Sequence, residues 1–526
     1  MLFPALSAVQ VFTWSAVGLL LTCLGIFFVT TPNVLKGLPL IGNLLDLADS
    51  ELVRDKVRAW AQEYPDIFYT KIGGADYVWL SSPKAVKDLM DKRSSIYSSR
   101  PPLPFAQDVA SAGRRQLFMP YSQQWRSLRK LSHALLNSNA ASKYQPVQDY
   151  ESKQLLAEFL ESPESFYQHN RRYSASVIML VTYGYRLESW KHPLMKKIYT
   201  VLDNLTEMTA PGAHTVDSFP SLAALPEWFL GNWRSHAQRV FDHDSKVYLD
   251  LWNNLKKEVD EGTAVDSFSK DFYLSNPGSQ GIDDLLAAYT CGGLVEAGSE
   301  TTSTTLNNFM LAMVCNPEAL GKAQAEIDRV VGPHRLPSFE DEAHLPYVRA
   351  LVKEVLRWRP VNKFGMFHAT SEDDWYEGYF IPKGTVAVLN WWAIHRDSNI
   401  HPDPDNFAPE RYLDKPLSAA EYINVKDAYD RDHFTYGAGR RVCPGVHVAE
   451  RSLYINIARV LWGFDIRKKK DADGAIIEPD MAMVRGFLSV PKAFECEIVP
   501  RTPTHATKIK EEFAEAQKGD FLFQAH

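Results

Sequence analysis

Apolar positions recur at helical spacing along most of this chain, and short strand-like runs interrupt them in a few places. The first 35 residues carry no charged side chain, and their apolar core, roughly residues 9–30, is long enough for a helix to cross a bilayer. Pro32, Gly37, Pro39 and Gly42 then make a stiff, turning connector. Residues 49–64 read as a helix, 67–72 and 77–80 as two short strands, and 83–92 as a helix again. A loop opens at Arg100-Pro-Pro-Leu-Pro104 and runs to about residue 119. A helix carrying Trp125 and Arg129 follows, and 138–271 is helix-rich, with loops near 211–226. Residues 282–315 form the longest helical candidate, over 30 residues and roughly 50 Å of helical rise. Residues 347–358 form another helix, closed by Pro360. Strand-like runs at 378–381 and 385–390 are joined by the turn Pro382-Lys-Gly384. The run from Val446 past Leu461 is helical, 483–488 and 494–499 predict a last hairpin, and 501–526 reads as a polar tail. The pattern predicts one transmembrane helix (1–31), a hinge (32–45), and a mainly α domain with a smaller β region (46–500).

Composition narrows the picture. Length alone would divide 526 residues into about three domains, but no low-complexity linker or repeat separates them. A hydrophobic content of 45% is enough for a sizeable core, and a net charge of -7 argues against wholesale nucleic-acid binding. Cys23, Cys291, Cys315, Cys443 and Cys496 are dispersed and odd in number, which points to a reducing compartment. The region before the apolar run lacks Lys and Arg, so a retained anchor is favoured over a cleaved signal peptide. The first charge, Lys36, follows the run and places the main domain on the cytoplasmic side. The sequon Asn204-Leu-Thr206 would then never meet the glycosylation machinery.

Candidate chemistry centres on Phe434-Thr-Tyr-Gly-Ala-Gly-Arg-Arg-Val-Cys-Pro-Gly445. Gly437, Gly439 and Gly445 can take backbone angles that a Cβ forbids. Such a loop can turn amide N–H groups onto the Cys443 sulfur, and the following helix aims its positive dipole end there. With Arg441 nearby, both effects favour a thiolate, which suits an axial position on haem iron. A lone cysteine is more often a small buried hydrophobe, so the argument rests on the whole dodecapeptide. Three further fragments carry weaker signals. Trp125 and Arg129, four apart on a helix, make a donor pair for a carboxylate, though an amphipathic face explains them equally well. Ala297-Gly-Ser-Glu-Thr-Thr302 puts a polar run and a destabilising glycine in mid-helix. It is either a kink or a close approach to a flat cofactor. Glu354 and Arg357 form an E-x-x-R pair, common by chance.

The dodecapeptide resembles the cysteine-ligand loop of the cytochrome P-450 family of haem-thiolate monooxygenases. The family pattern has an aromatic seven residues before the cysteine, glycines six and four before, and a basic residue two before; here these are Tyr436, Gly437, Gly439 and Arg441. Tyr436 departs from the usual Phe and adds a hydroxyl near the thiolate. The resemblance implies that Cys443 ligates the iron of haem b, and that Arg100, Trp125, Arg129, His368 and Arg441 bind it, chiefly through its propionates. It implies Thr301 as the hydroxyl that hydrogen-bonds dioxygen and Glu300 as the acid that relays protons. Glu354, Arg357 and Arg411 become a structural ion-pair network behind the cysteine loop. Electrons would come from NADPH through a separate reductase, with cytochrome b5 as a further donor, at the endoplasmic reticulum membrane. The style of residues 368–384 is similar to fungal members that tailor secondary metabolites. Ala297 and Lys363 are candidate substrate contacts; Lys363 either points outward, joins the propionate contacts or faces the pocket, where it would favour an acidic or phenolic substrate, such as a methylphenol polyketide. The rival readings are a haem-thiolate isomerase or dehydratase needing neither dioxygen nor reductase, and a non-catalytic membrane haem sensor.

Overall fold

The computed structural model describes residues 35–519, apart from Lys36, Pro39, Leu40, Ala48, Asp49, Pro211 and Arg485. The expected anchor at 1–31 lies outside the described residues. Among those described, no helix is long and apolar enough to cross a membrane.

The principal helices are α1 (Ser50–Glu63), α2 (Gln123–Leu136), α3 (Gln145–Glu161), α4 (Phe166–Tyr183), α5 (Pro193–Thr209), α6 (Trp233–Asp260), α7 (Asp284–Cys315), α8 (Pro317–Val330), α9 (Pro346–Trp358), α10 (Val446–Gly463) and α11 (Pro503–Lys518). The longest, α7, runs through the middle of the molecule. Its start is set by Asp283, whose side chain accepts from Leu286 N at 2.7 Å, as a good N-cap does. Its end is set by Pro317, which begins α8 at the position where a missing N–H costs nothing. Leu286, Tyr289 and Val295 of α7 join Tyr248 and Trp252 in one apolar cluster. Leu306, Phe309 and Leu311 join Leu351 of α9 and Ile455 of α10 in another.

A four-stranded sheet lies at one side, in the order β1 (Ile67–Ile72), β2 (Ala75–Leu80), β6 (Val386–Leu389), β3 (His368–Ala369). All four residues of β6 are buried, so the strand reads as a continuous apolar run rather than an alternating one. A separate ribbon pairs β4 (Asp374–Tyr376) with β5 (Tyr379–Ile381). Glu377 and Gly378, with φ of 51° and 84°, close it as tight hairpin turns require. The two strand-like runs on either side of Pro382 therefore belong to different sheets.

Two expectations are corrected at the C-terminus. The predicted last hairpin does not form. Met483 pairs with Pro491 through an isolated bridge, and β8 (Cys496–Pro500) pairs instead with β7 (Phe464–Lys468), directly after α10. The end of α10 is anchored in the core by Trp462 and Phe464, which presents β7 to the returning chain. The polar tail is also a helix over most of its described length. Thr502 caps α11, and His505 and Ile509, four apart, are buried. His505 packs on Trp462 at 4.5 Å and Phe513 on Tyr150 at 6.1 Å. A stripe only one residue wide among Lys and Glu gave no visible apolar period. The loop predicted over 100–119 also contains a wide helical turn, Pro104–Val109.

Ile509→Ala is expected to destabilise the protein by about 2–4 kcal/mol, since it empties a packed site, while the exposed Lys510→Ala shifts stability by less than about 0.5 kcal/mol. Urea denaturation of both variants checks this; equal effects would show that α11 contributes nothing to the core.

Candidate active site

The cysteine loop is shaped by two glycines. Gly437 and Gly439 have φ of 79° and 64°. A Cβ on Gly439 would stand 2.1 Å from the Met90 carbonyl oxygen, so only glycine lets the loop close on the Lys87–Lys92 turn. Asp91 there accepts from Gly439 N at 2.8 Å. Gly437 N bonds Phe434 O and Cys443 N bonds Tyr436 O, both at 2.8 Å. Cys443 thus stands just ahead of α10, half-buried because it faces a cavity. Burial raises its thiol pKa, opposed by the Gly445 amide and then by the Arg129 guanidinium.

Behind the loop is a buried charge network. Arg357 donates to both oxygens of Glu354 at 2.7 Å, and Arg411 donates to Glu354 at 3.2 Å. Arg357 also reaches the carbonyls of His395 at 2.8 Å, Pro404 at 2.7 Å and Asn406 at 3.2 Å. Two more bonds tie this frame to the loop: Thr435 Oγ1 to Leu356 O at 3.0 Å, and Phe434 N to His395 Nε2 at 2.9 Å.

The cavity has a volume of about 480 Å³, within the range of small-molecule sites. Cys443, Arg100, Trp125, Arg129, His368 and Arg441 all line it, and so do Ala297, Glu300 and Thr301. Residues far apart in sequence are therefore brought to one space. Arg100 donates to the carbonyls of Leu117, Met366 and Phe367 at 2.9, 2.7 and 2.7 Å. Arg441 donates to Ser98 O at 2.7 Å and Met119 O at 2.5 Å, and its guanidinium lies 4.3 Å from the Trp125 ring. Arg129 donates to Val442 O. His368 Nδ1 lies 2.9 Å from Tyr97 O. These four cationic or basic groups have carbonyl partners but, among the described residues, no carboxylate partner. Burial, with repulsion from Arg129, pulls the Arg441 pKa down to about 9. Burial, then the Arg441 charge, lowers Arg100, and burial lowers Arg129. Burial, then Arg100 and Arg441, holds the imidazole of His368 neutral. Positive charge buried this way needs an anion. The two carboxylates of a haem are such anions, and the Cys443 sulfur faces the same cavity, so the donor set fits that group.

Helix α7 forms the opposite wall. Tyr289, Gly293, Ala297, Thr301 and Thr305, at steps of four, all line the cavity. Gly298 does not serve a close approach there. A Cβ on it would meet Ile178 at 2.5 Å, and its carbonyl accepts from Ser174 at 2.7 Å, so it is a packing glycine against α4. The small residues at the cavity are Gly293 and Ala297. Thr301 Oγ1 donates to Ala297 O at 2.7 Å. Glu300 is buried, and its Oε1 accepts from Arg171 at 2.9 Å, while Oε2 has no hydrogen-bond partner among the described residues although the Tyr199 hydroxyl stands near enough to favour the charged form. Burial raises its pKa, with Arg171 opposing.

Sequence reasoning missed the surroundings of Glu300. Arg171 of α4 stacks at 4.6 Å over Tyr199 of α5, and Asp203 lines the cavity beside them. No local spacing signals these residues; only the helix packing brings them to Glu300. Lys363 takes neither of the cavity placements that the sequence left open. The segment after Pro360 gives the cavity Val361, Asn362, Gly365 and Met366, but Lys363 does not line it. Asn362 Nδ2 donates to Phe487 O at 2.7 Å and Ser489 N to Val361 O at 2.8 Å, which fixes the segment with Asn362 inward. The acidic or phenolic substrate argument falls with Lys363.

Arg357→Lys is expected to cost about 3 kcal/mol or more, because an ammonium has three donors in place of the five that Arg357 uses, which leaves some of these buried oxygens unpaired. Chemical denaturation of the variant measures this, and a loss below about 1 kcal/mol, the scale of an exposed pair, would contradict the buried-network reading.

The comparisons with known proteins agree with this geometry. The Cytochrome P450 family model matches residues 32–497. Cytochrome P450 monooxygenase verL of Clonostachys rogersoniana is 49% identical, over 92% of this chain and 89% of its own length. Cytochrome P450 monooxygenase virE of Hypocrea virens is 39% identical, over 90% and 86%. Cytochrome P450 monooxygenase yanC of Aspergillus niger is 36% identical, over 91% of each. With a cysteine loop, a cation-lined cavity and a family match spanning nearly all of its described length, the chain belongs to the cytochrome P450 family and is a monooxygenase.

Proposed function

We propose that the cavity holds haem b with Cys443 as axial thiolate and oxidises a small organic molecule, a fungal secondary metabolite. The observation that carries this is the meeting of one thiol, a cluster of cations without carboxylates, and the Ala297–Thr301 wall on a single cavity. Arg100, Arg129, Arg441, Trp125 and His368 would bind the propionates through charge-assisted bonds. When bound, the haem supplies the activation of dioxygen, which a thiolate ligand favours.

The chain's own groups then handle protons. Glu300 Oε2 has no hydrogen-bond partner among the described residues, and burial raises the pKa of its carboxyl, so it is suited to carry a proton. Arg171, whose side chain is 42% exposed, links Glu300 to solvent. Thr301 lines the cavity and donates to Ala297 O; turning that one hydroxyl proton from the carbonyl to the cavity would let it accept and pass a proton. Ala297 forms the floor against which substrate rests.

Electrons would come from NADPH through a separate reductase, with cytochrome b5 as a further donor. Residues 1–31 would anchor the chain in the endoplasmic reticulum membrane, with the domain in the cytoplasm. The charge-free run supports this. The Glu300–Thr301 pair favours oxygenation over a reductase-independent isomerase or a haem sensor, because neither needs proton delivery.

Cys443→Ala is expected to abolish the red-shifted Soret band of the reduced CO complex; its survival would remove Cys443 as ligand. Thr301→Ala is expected to keep haem but divert NADPH electrons to peroxide. Unchanged coupling of NADPH use to product would contradict the proton role. Deleting residues 1–31 should release the protein from membranes on alkaline carbonate extraction; a truncated protein still in the pellet argues against the anchor.

A further inference from the structure

Most of the cavity wall is apolar or belongs to the site already described. Among the polar residues left over, one group carries charge. Arg115, Tyr289 and Glu296 line the cavity together, and they are 2%, 1% and 7% exposed. Glu296 lies one helical turn before Glu300 on α7. It is five residues from Thr301, about 7.5 Å of helical rise.

The bonding of Arg115 is complete enough to take it out of play as a ligand group. Nη1 donates to Glu296 Oε1, Nη2 to Asp244 Oδ2 at 2.8 Å, and Nε to Ser111 Oγ at 3.3 Å. Asp244, on α6, also accepts from Asn204 at 2.7 Å and lies 3.1 Å from His243 Nδ1. One guanidinium therefore serves two carboxylates. Glu296 Oε2 has no protein donor among the described residues. Tyr289 is seven residues earlier on the same helix face. Its hydroxyl is buried without a partner, while the Arg115 guanidinium lies 5.9 Å from its ring.

The sign of the site follows. An incoming carboxylate would meet two carboxylates that already share a single cation. An N–H or O–H donor would complete Glu296 Oε2, and a charge-assisted bond of that kind is among the stronger ones. We propose that Glu296, held in place by Arg115, is the specificity-determining residue of this enzyme. It accepts a hydrogen bond from an N–H or O–H group of an otherwise apolar substrate, with Tyr289 on the same helix face. That contact orients the substrate along α7 toward Thr301. The proposal rests on the monooxygenase reading of the same cavity and names its substrate class: hydrogen-bond donors, neutral or cationic, not acids.

The test uses the haem-loaded full chain and four probes that share one ring system, substituted at the same position: naphthol, naphthylmethylamine, methoxynaphthalene and naphthoate. Binding is measured by equilibrium dialysis, which needs no turnover. Naphthol and the amine are expected to bind about tenfold more tightly than methoxynaphthalene, with naphthoate weakest. A lead for naphthol marks a neutral donor as the preferred partner, and a lead for the amine a cation. In Glu296→Gln, Arg115 claims the amide oxygen and leaves Nε2–H toward the cavity, so the order reverses toward methoxynaphthalene and naphthoate. Glu296→Asp keeps the native order. Absence of discrimination in the native chain, through equal binding or none, overturns the proposal, and so does an unchanged order in Glu296→Gln. If a variant fails to fold, the native order decides alone. The CO band of the same samples separates the two readings. Its absence with discrimination intact sinks the haem assignment, and its presence without discrimination sinks this inference.

Discussion

A guanidinium buried away from water has five N–H donors to satisfy, and Arg357 satisfies all of them. Two go to Glu354, and three to the carbonyls of His395, Pro404 and Asn406. Those carbonyls belong to loops with no regular structure, so the charge fixes chain segments that no helix or sheet ladder could. The cysteine loop is fastened to this frame through Leu356 and His395. The position of Cys443 thus depends on a charge network that never reaches the cavity.

The cations at the cavity present the opposite condition. Arg100, Arg129 and Arg441 touch carbonyls, but among the described residues no carboxylate balances their charge. A protein interior tolerates this only where an anion arrives from outside. The difference between a saturated arginine behind the loop and unbalanced ones in front of it separates structure from binding. Arg115 is balanced in charge by Glu296 and Asp244, which is why Glu296 rather than Arg115 is the group left to meet a substrate.

Helix α7 divides its labour by face. Gly298 and Ser299 turn toward α4 and the interior, while Gly293, Ala297 and Thr301 turn to the cavity. A one-residue change of phase decides whether a small residue serves packing or chemistry. The mid-helix polar run is legible in sequence, but the face each member takes is not.

What the sequence determined by itself was local. The spacing around Cys443, the caps and prolines bounding α7 and α9, and the Glu354–Arg357 pair are all set by neighbours within a few residues. So is the mainly helical character of the chain. What only the tertiary structure decided involves partners far apart. Cys496–Pro500 pairs with Phe464–Lys468 because α10 ends in the core. The described part of the C-terminal tail is helical because Trp462 and Tyr150 offer it a surface. Lys363 misses the cavity because Asn362 is tied to Phe487. Arg171 meets Glu300 across 129 residues and Arg115 meets Glu296 across 181. Such contacts leave no periodic trace, since burial and charge balance act on the folded surface rather than along the chain.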